Sequence, residues 1–223
     1  MVYTLPILAV VASFIFVFFA KTKSQKNIKL LLAFSGAFLL ALSFFELLPK
    51  VYTNSDSKTI AVFILAGILL QVFLEFFSKG AEHGHVHIDL KANSFPIVLF
   101  LSLSLHALIE GVPISDDNNI LYGILVHKIP VAIILSIFLI NSRLNIGLSI
   151  LFVSMFALMT PLGSFLSVKS SFIQEYSNQI TAVAIGVFFH ISTVVLFESS
   201  QGHSFNLRKL IVIVLGIVIA YFL

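Results

Sequence analysis

Long apolar runs constrain this chain more than any other feature, because they leave almost no room for a wetted surface. Eight stretches qualify as membrane spans: 3–20, 28–49, 59–78, 94–113, 119–140, 145–167, 178–198 and 207–223. A spanning helix needs about 20 apolar residues, within a range of about 17–25. In lipid every backbone polar group must be satisfied within the segment, so these runs are predicted to be helices. Composition agrees, with 59% of the 223 residues hydrophobic and 10% charged, against about 25% charged in soluble domains. The expected fold class is all-α, a polytopic membrane protein whose residues 1–223 form a single transmembrane domain. The first run lacks a basic leader and a small-residue cleavage site and ends at a lysine cluster, which makes it a span and not a signal peptide.

Orientation follows the positive-inside bias. Lys21, Lys23, Lys26, Lys29, Lys79, Lys91, Arg143, Arg208 and Lys209 fall in one set of loops, and Lys50, Lys58 and Lys169 in the other. The first set is therefore expected in the cytoplasm and both termini outside. The thirteenth basic residue, Lys128, lies within the fifth span. Absence of cysteine excludes a disulfide framework, a cysteine zinc finger and a thiol nucleophile. A formal charge of +3 spread over short loops argues against a nucleic-acid partner. Many Lys, Asn, Ile and Phe suggest a bacterium, hence a bacterial cytoplasmic membrane.

Ionisable groups at mid-membrane cost about 2.5–3.5 kcal/mol on insertion scales and usually face a cavity or a partner. The fourth span reads LSLHALIEGVP, so His106 and Glu110 share a helix face at i, i+4. The fifth reads LVHKIPVA, with His127 and Lys128 just ahead of Pro130. Counted from the outer ends, His106 and His127 lie at similar depth, roughly 10–13 Å in. The short connection around 115–118 makes the two helices antiparallel neighbours, so two imidazoles and a carboxylate converge. Such ligands suit zinc, ferrous iron or manganese. Pro130 removes the hydrogen bond to the Val126 carbonyl and is expected to kink span five, and Gly111 and Pro113 to loosen span four. Interhelical hydrogen bonding is the structural alternative for any single histidine, His190 included.

At these residues the sequence resembles the ZIP (Zrt/Irt-like) family of metal transporters. His106, Glu110 and Gly111 match its His-x-x-x-Glu-Gly signature, and His127, Lys128 and Pro130 its second signature. MTPLGSF (159–165) is similar to the family's Thr-Pro-Leu-Gly, and SGAFLLALSFFELLPK to its glycine-led second span. The resemblance implies eight spans in a 3+2+3 arrangement, with the outer triplets related by an inverted repeat. It also implies metal uptake toward the cytoplasm, no catalytic residue or cofactor, and a homodimer. The chain departs from the family pattern at Val131, where a second carboxylate is common, and at Ala107 and Lys128, the second-metal positions. The expectation is therefore one metal, held by His106, Glu110 and His127, with the Lys128 ammonium offsetting Glu110 as a second cation would. In span seven the family's usual acidic position falls near Val195, whereas the glutamate here is Glu198.

Other polar residues can be ordered as a pathway: Glu46 near the level of His106, then His190, with Glu75 and Glu198 near the inner ends. Snorkelling to the headgroups is the plain alternative for the three glutamates. In the cytoplasmic loop AEHGHVHID, His83, His85 and His87 alternate in a glycine-containing segment that can wrap a metal or serve as a linker. The competing reading is a zinc-dependent intramembrane hydrolase, which needs three fixed ligands, an open position and an acid or base such as Lys128 or Ser104.

Overall fold

A computed structural model describes residues 1–20, 25–53, 55–78, 94–116, 118–198 and 207–223. Every regular element among them is helical: α1 (Thr4–Ala20), α2 (Gln25–Leu42), a π-helical turn (Ser43–Leu47), α3 (Leu48–Tyr52) and α4 (Ser57–Ser78). Next come α5 (Ile97–Gly111), a 3-10 turn (Val112–Asp116) and α6 (Asn118–Asn141). The chain continues through α7 (Ile146–Ala157), α8 (Met159–Lys169), α9 (Ser171–Glu175), α10 (Ser177–Glu198) and α11 (Leu207–Tyr221). Among the described residues, six segments are long and apolar enough to cross a membrane: Lys29–Tyr52, Ser57–Ser78, Ile97–Ile114, Asn119–Asn141, Ile146–Lys169 and Ser177–Phe197. Helix α1 is equally apolar but has 17 residues, and α11 has 15.

Proline sets most of the irregularities, because each ring removes one donor and crowds the carbonyl four residues back. Pro49 has no N–H for Phe45, and the π turn Ser43–Leu47 forms immediately before it. Pro113 has none for Ile109, whose carbonyl is met by the Val112 N–H as the helix tightens into its 3-10 turn. Pro161 has none for Ala157, and here the sixth expected span divides into α7 and α8 at Leu158. At Pro130 the outcome is milder. Helix α6 runs uninterrupted through it.

The helices close into a ring. Helix α1 packs on α6, α6 on α2, α2 on α10, α10 on α4, α4 on α5, and α5 on α8, with α7 and α8 returning to α1. Helix α11 lies outside, against α2. Two seams depend on glycine. A Cβ on Gly67 would stand 2.1 Å from the Val183 carbonyl oxygen, and one on Gly186 2.0 Å from that of Ile64, so α4 and α10 touch backbone to backbone. Gly111 and Gly163 do the same for α5 and α8, at 2.1 Å from the Thr160 oxygen and 2.0 Å from the Leu108 oxygen. Small residues that let backbones approach are how helices associate where water provides no drive.

The expected antiparallel pair takes a different form. Helices α5 and α6 are joined by the short 3-10 turn, yet their backbones barely approach one another. Each is held by its ring neighbours, and side chains fill the space between them. The short connection limits how far the helices can part but does not press them together.

Candidate metal centre

Four ionisable side chains from α5 and α6 meet in that space. His106, Glu110, His127 and Lys128 are all at most 2% exposed. The His106 and His127 rings face each other at 6.5 Å between centroids, inclined by 77°. The Lys128 ammonium donates to Glu110 Oε2 at 2.6 Å and sits 5.2 Å from the centroid of Phe156. Glu110 Oε1 is buried and accepts no hydrogen bond among the described residues. His127 Nδ1 pairs with Ser35 Oγ at 3.0 Å, which fixes the imidazole's orientation from α2.

The second wall comes from α8. Thr160 Oγ1 donates to the Ala107 carbonyl at 3.0 Å, one residue from His106. Three letters of MTPLGSF thus have a physical part: Thr160 ties α8 to α5, Pro161 separates α8 from α7, and Gly163 lets the backbones meet. Gly111 likewise serves close approach to Thr160 and does not loosen the span. Two of the positions at which the chain departs from the family pattern are buried: Ala107 is fully inaccessible and Val131 is 5% exposed.

Among the described residues, no three His, Asp or Glu side chains already stand in a closed metal cage. The carboxylate is turned onto Lys128. Two imidazoles sharing a tetrahedral zinc at about 2.0–2.1 Å would have centroids roughly 5 Å apart, so the observed pair needs a modest closure.

The remaining candidates separate. Glu75 and His190 meet at 2.5 Å between Oε2 and Nε2, part-buried at the α4–α10 seam. An ionised carboxylate can only accept, so the imidazole N–H donates. Ser102, one turn before His106 on α5, donates to the Leu74 carbonyl beside Glu75 at 2.5 Å. That bond puts the Glu75–His190 pair about one turn, ~6 Å, nearer the start of α5 than His106. Glu46 lies in the π turn, half-buried. It was expected near the level of His106, but it follows Ser35, which touches His127, by 46 − 35 = 11 residues. At 1.5 Å per residue that is roughly 16 Å nearer the Tyr52 end. Glu198 ends α10, and its side chain lies outside the described residues, as do His83, His85 and His87.

Sequence reasoning missed Ser35, Phe156 and Thr160 as parts of this centre. Their signal was faint: Phe156 and Thr160 lie in a span with no charged residue to mark its inward face, and Ser35 in one whose charged residues, Lys29 and Glu46, sit toward its two ends.

A ring of apolar helices with buried imidazole, carboxylate and ammonium groups facing across its interior defines a class: a multi-pass membrane protein with a polar centre. Comparison with known proteins narrows it. The family model described as ZIP Zinc transporter matches residues 79–223, well over half of the chain. The chain belongs to the ZIP zinc transporter family. It is 40% identical over 93 residues to Zinc transporter ZIP1 of Danio rerio, covering 38% of this chain and 30% of that protein. It is 37% identical over 87 residues to Zinc transporter ZIP1 of Takifugu rubripes, covering 35% and 29%. Protein zntD of Dictyostelium discoideum is 28% identical over 165 residues, covering 62% and 24%. These matches thus span less than a third of each curated relative's length.

Proposed function

We propose that this protein carries a divalent metal ion, zinc first and iron or manganese second, across the membrane through a one-metal site of His106, Glu110 and His127. The observation that carries the reading is their joint burial on α5 and α6, facing each other across the ring interior, in a ZIP-family chain. Glu110 divides its labour: Oε2 holds Lys128, and Oε1 turns to the metal. His127, with Nδ1 on Ser35, ligates through Nε2, and such an outer partner raises ligand basicity and sets the ring's orientation. Lys128 stands where a second cation would, which keeps the centre's own charge near zero. A site that is not strongly anionic releases a divalent ion readily, as conduction requires. The hydrolase alternative has no support in the family, whose members are transporters.

Eight spans in a 3+2+3 arrangement, within one transmembrane domain over residues 1–223, fit the packing. Helix α1 pairs with α6 as α8 pairs with α5, and α2 pairs with α11 as α10 pairs with α4. These partnerships exchange when the first three spans are swapped with the last three. Glu46 then lies toward the outer mouth, and Glu75 with His190 about one turn inward of the centre, followed by Glu198 and the histidines of residues 83–87. Uptake toward the cytoplasm, outside termini, a bacterial cytoplasmic membrane and a homodimer complete the reading, on the lysine bias, the composition and the family resemblance.

Radiolabelled zinc flux into sealed liposomes tests the proposal. The parent is expected to transport, and His106→Ala to lose at least about tenfold in rate, in line with the loss of a metal ligand. Imidazole must be neutral to ligate, so protons compete with zinc for the two rings and affinity should fall as the pH is lowered. Absent flux, or binding unchanged between pH 7 and 5, would overturn it.

A further inference from the structure

At the Tyr52 end, above the buried centre, the structure holds a cavity of about 280 Å³. Its floor is apolar, with Leu47, Val51, Val112 and Ile120. Ile120 precedes His127 by seven residues on α6, about 10 Å along the axis, so the cavity stands over the path to the ligands. Its polar rim has amides and hydroxyls and one charged residue, Lys50. Among the described residues no acidic side chain lines it. Of the acidic residues nearby in sequence, Asp56 accepts both Thr59 hydrogen bonds, Glu46 in the π turn and Glu175 on α9 do not line the cavity, and the side chains of Asp116 and Asp117 lie outside the described residues. Lys50 is exposed and forms no ion pair among the described residues.

An unpaired ammonium lining the mouth of a cation pathway is an odd fitting. Its field opposes the cargo. We infer that Lys50 sets the apparent affinity for the metal by lowering the concentration of divalent cation in this cavity, without touching the ion at the buried centre. The inference rests on the transport reading above and on the cavity lying on the metal's outer approach.

Two unit-spaced charges, +1 and +2, about 10 Å apart in water disfavour occupancy by roughly fourfold. Screening reduces this as the Debye length contracts from about 30 Å at 0.01 M salt to about 8 Å at 0.15 M. Lys50→Gln should therefore lower KM for zinc about threefold at 0.01 M ionic strength and less than twofold at 0.15 M. Lys50→Glu reverses the field and should lower KM by about tenfold at low salt. Maximal rate should stay near the parent's in both. Lys50→Arg keeps the charge and should leave KM unchanged, and Lys169→Gln, a cation at the same end that does not line the cavity, should do little.

Initial-rate zinc uptake into proteoliposomes at the two salt concentrations provides the readout. A KM for Lys50→Gln equal to the parent's at low salt, or a shift as large at high salt as at low, would overturn the inference. So would an equal effect of Lys169→Gln, which would show a general surface-charge effect. Failure of the parent itself to transport would instead fall on the transport reading, so the two failures are separable.

Discussion

At the scale of single residues, the ammonium–carboxylate pair between Lys128 and Glu110 is the most consequential contact. Both groups are at most 2% exposed and 2.6 Å apart. Removing one partner of a buried pair typically costs about 3–5 kcal/mol, because the other charge is left uncompensated. Lys128→Ala should accordingly lower the thermal midpoint of the purified protein. Added zinc should recover part of that loss by supplying the missing positive charge, whereas His106→Ala with the same mutation should not be rescued. Thermal unfolding in detergent, with and without zinc, checks this. Val131 sits one turn past His127 on the same helix, so Val131→Glu would place a carboxylate where a second ion could share Glu110. The residues proposed as ligands stood out in the sequence because ionisable groups in an apolar span are conspicuous. Ser35 was not, since a serine is commonplace in such helices, and only the fold shows that it faces His127.

At the scale of elements, glycine and proline decide how the site's walls are placed. A methyl group on Gly163 would collide with the Leu108 carbonyl at 2.0 Å, a backbone atom that cannot swing aside. Overpacking of this kind typically costs about 1–3 kcal/mol. Gly163→Ala should therefore destabilise the protein and also disturb metal binding, since Leu108 lies between His106 and Glu110. Isothermal titration with zinc, compared against Gly147→Ala, where a Cβ meets only the Asn145 side chain at 3.4 Å, separates the two effects. The start of α4 shows a local device of another kind. Bonds from the Thr59 hydroxyl and then its backbone N–H hold the Asp56 carboxyl below its ordinary value. A depressed carboxyl contributes stability above its unfolded value and loses it as pH falls through the folded one, so this cap weakens only under acid conditions. Helix positions were legible to within a few residues. The π turn and the division of α7 from α8 were not, although the prolines that cause them were in view. The chain has more than one way to rehouse a carbonyl deprived of its donor: a wide turn at Pro49, a tight one at Pro113, a break at Pro161 and a continuous helix at Pro130.

At the scale of the whole molecule, the closed ring explains how so many polar groups persist in an apolar protein. The face turned to lipid has large exposed side chains such as Phe19, Leu69, Phe76 and Phe197, and the interior holds His106, His127 and the ion pair. The orientation inferred from the lysine bias is open to direct test, because the chain contains no cysteine. A single cysteine at Ser57 should react with an impermeant maleimide added outside intact cells, and one at Ser142 only after the membrane is opened. The reverse pattern would invert the topology. The apolar runs made the membrane class plain from the sequence. The ring closure was not, since it depends on which faces pair and on glycines whose significance appears only when a neighbouring backbone lies against them.

The sparse contact between α5 and α6 has one more consequence. Two jaws mounted on separate arms behave as a calliper: their opening is set by the frame, and the object gripped reports the frame's dimensions. Preference among ions of different radius would then be written into the glycine seams on the periphery as much as into the grasping atoms, and relatives with identical ligands need not favour the same cargo.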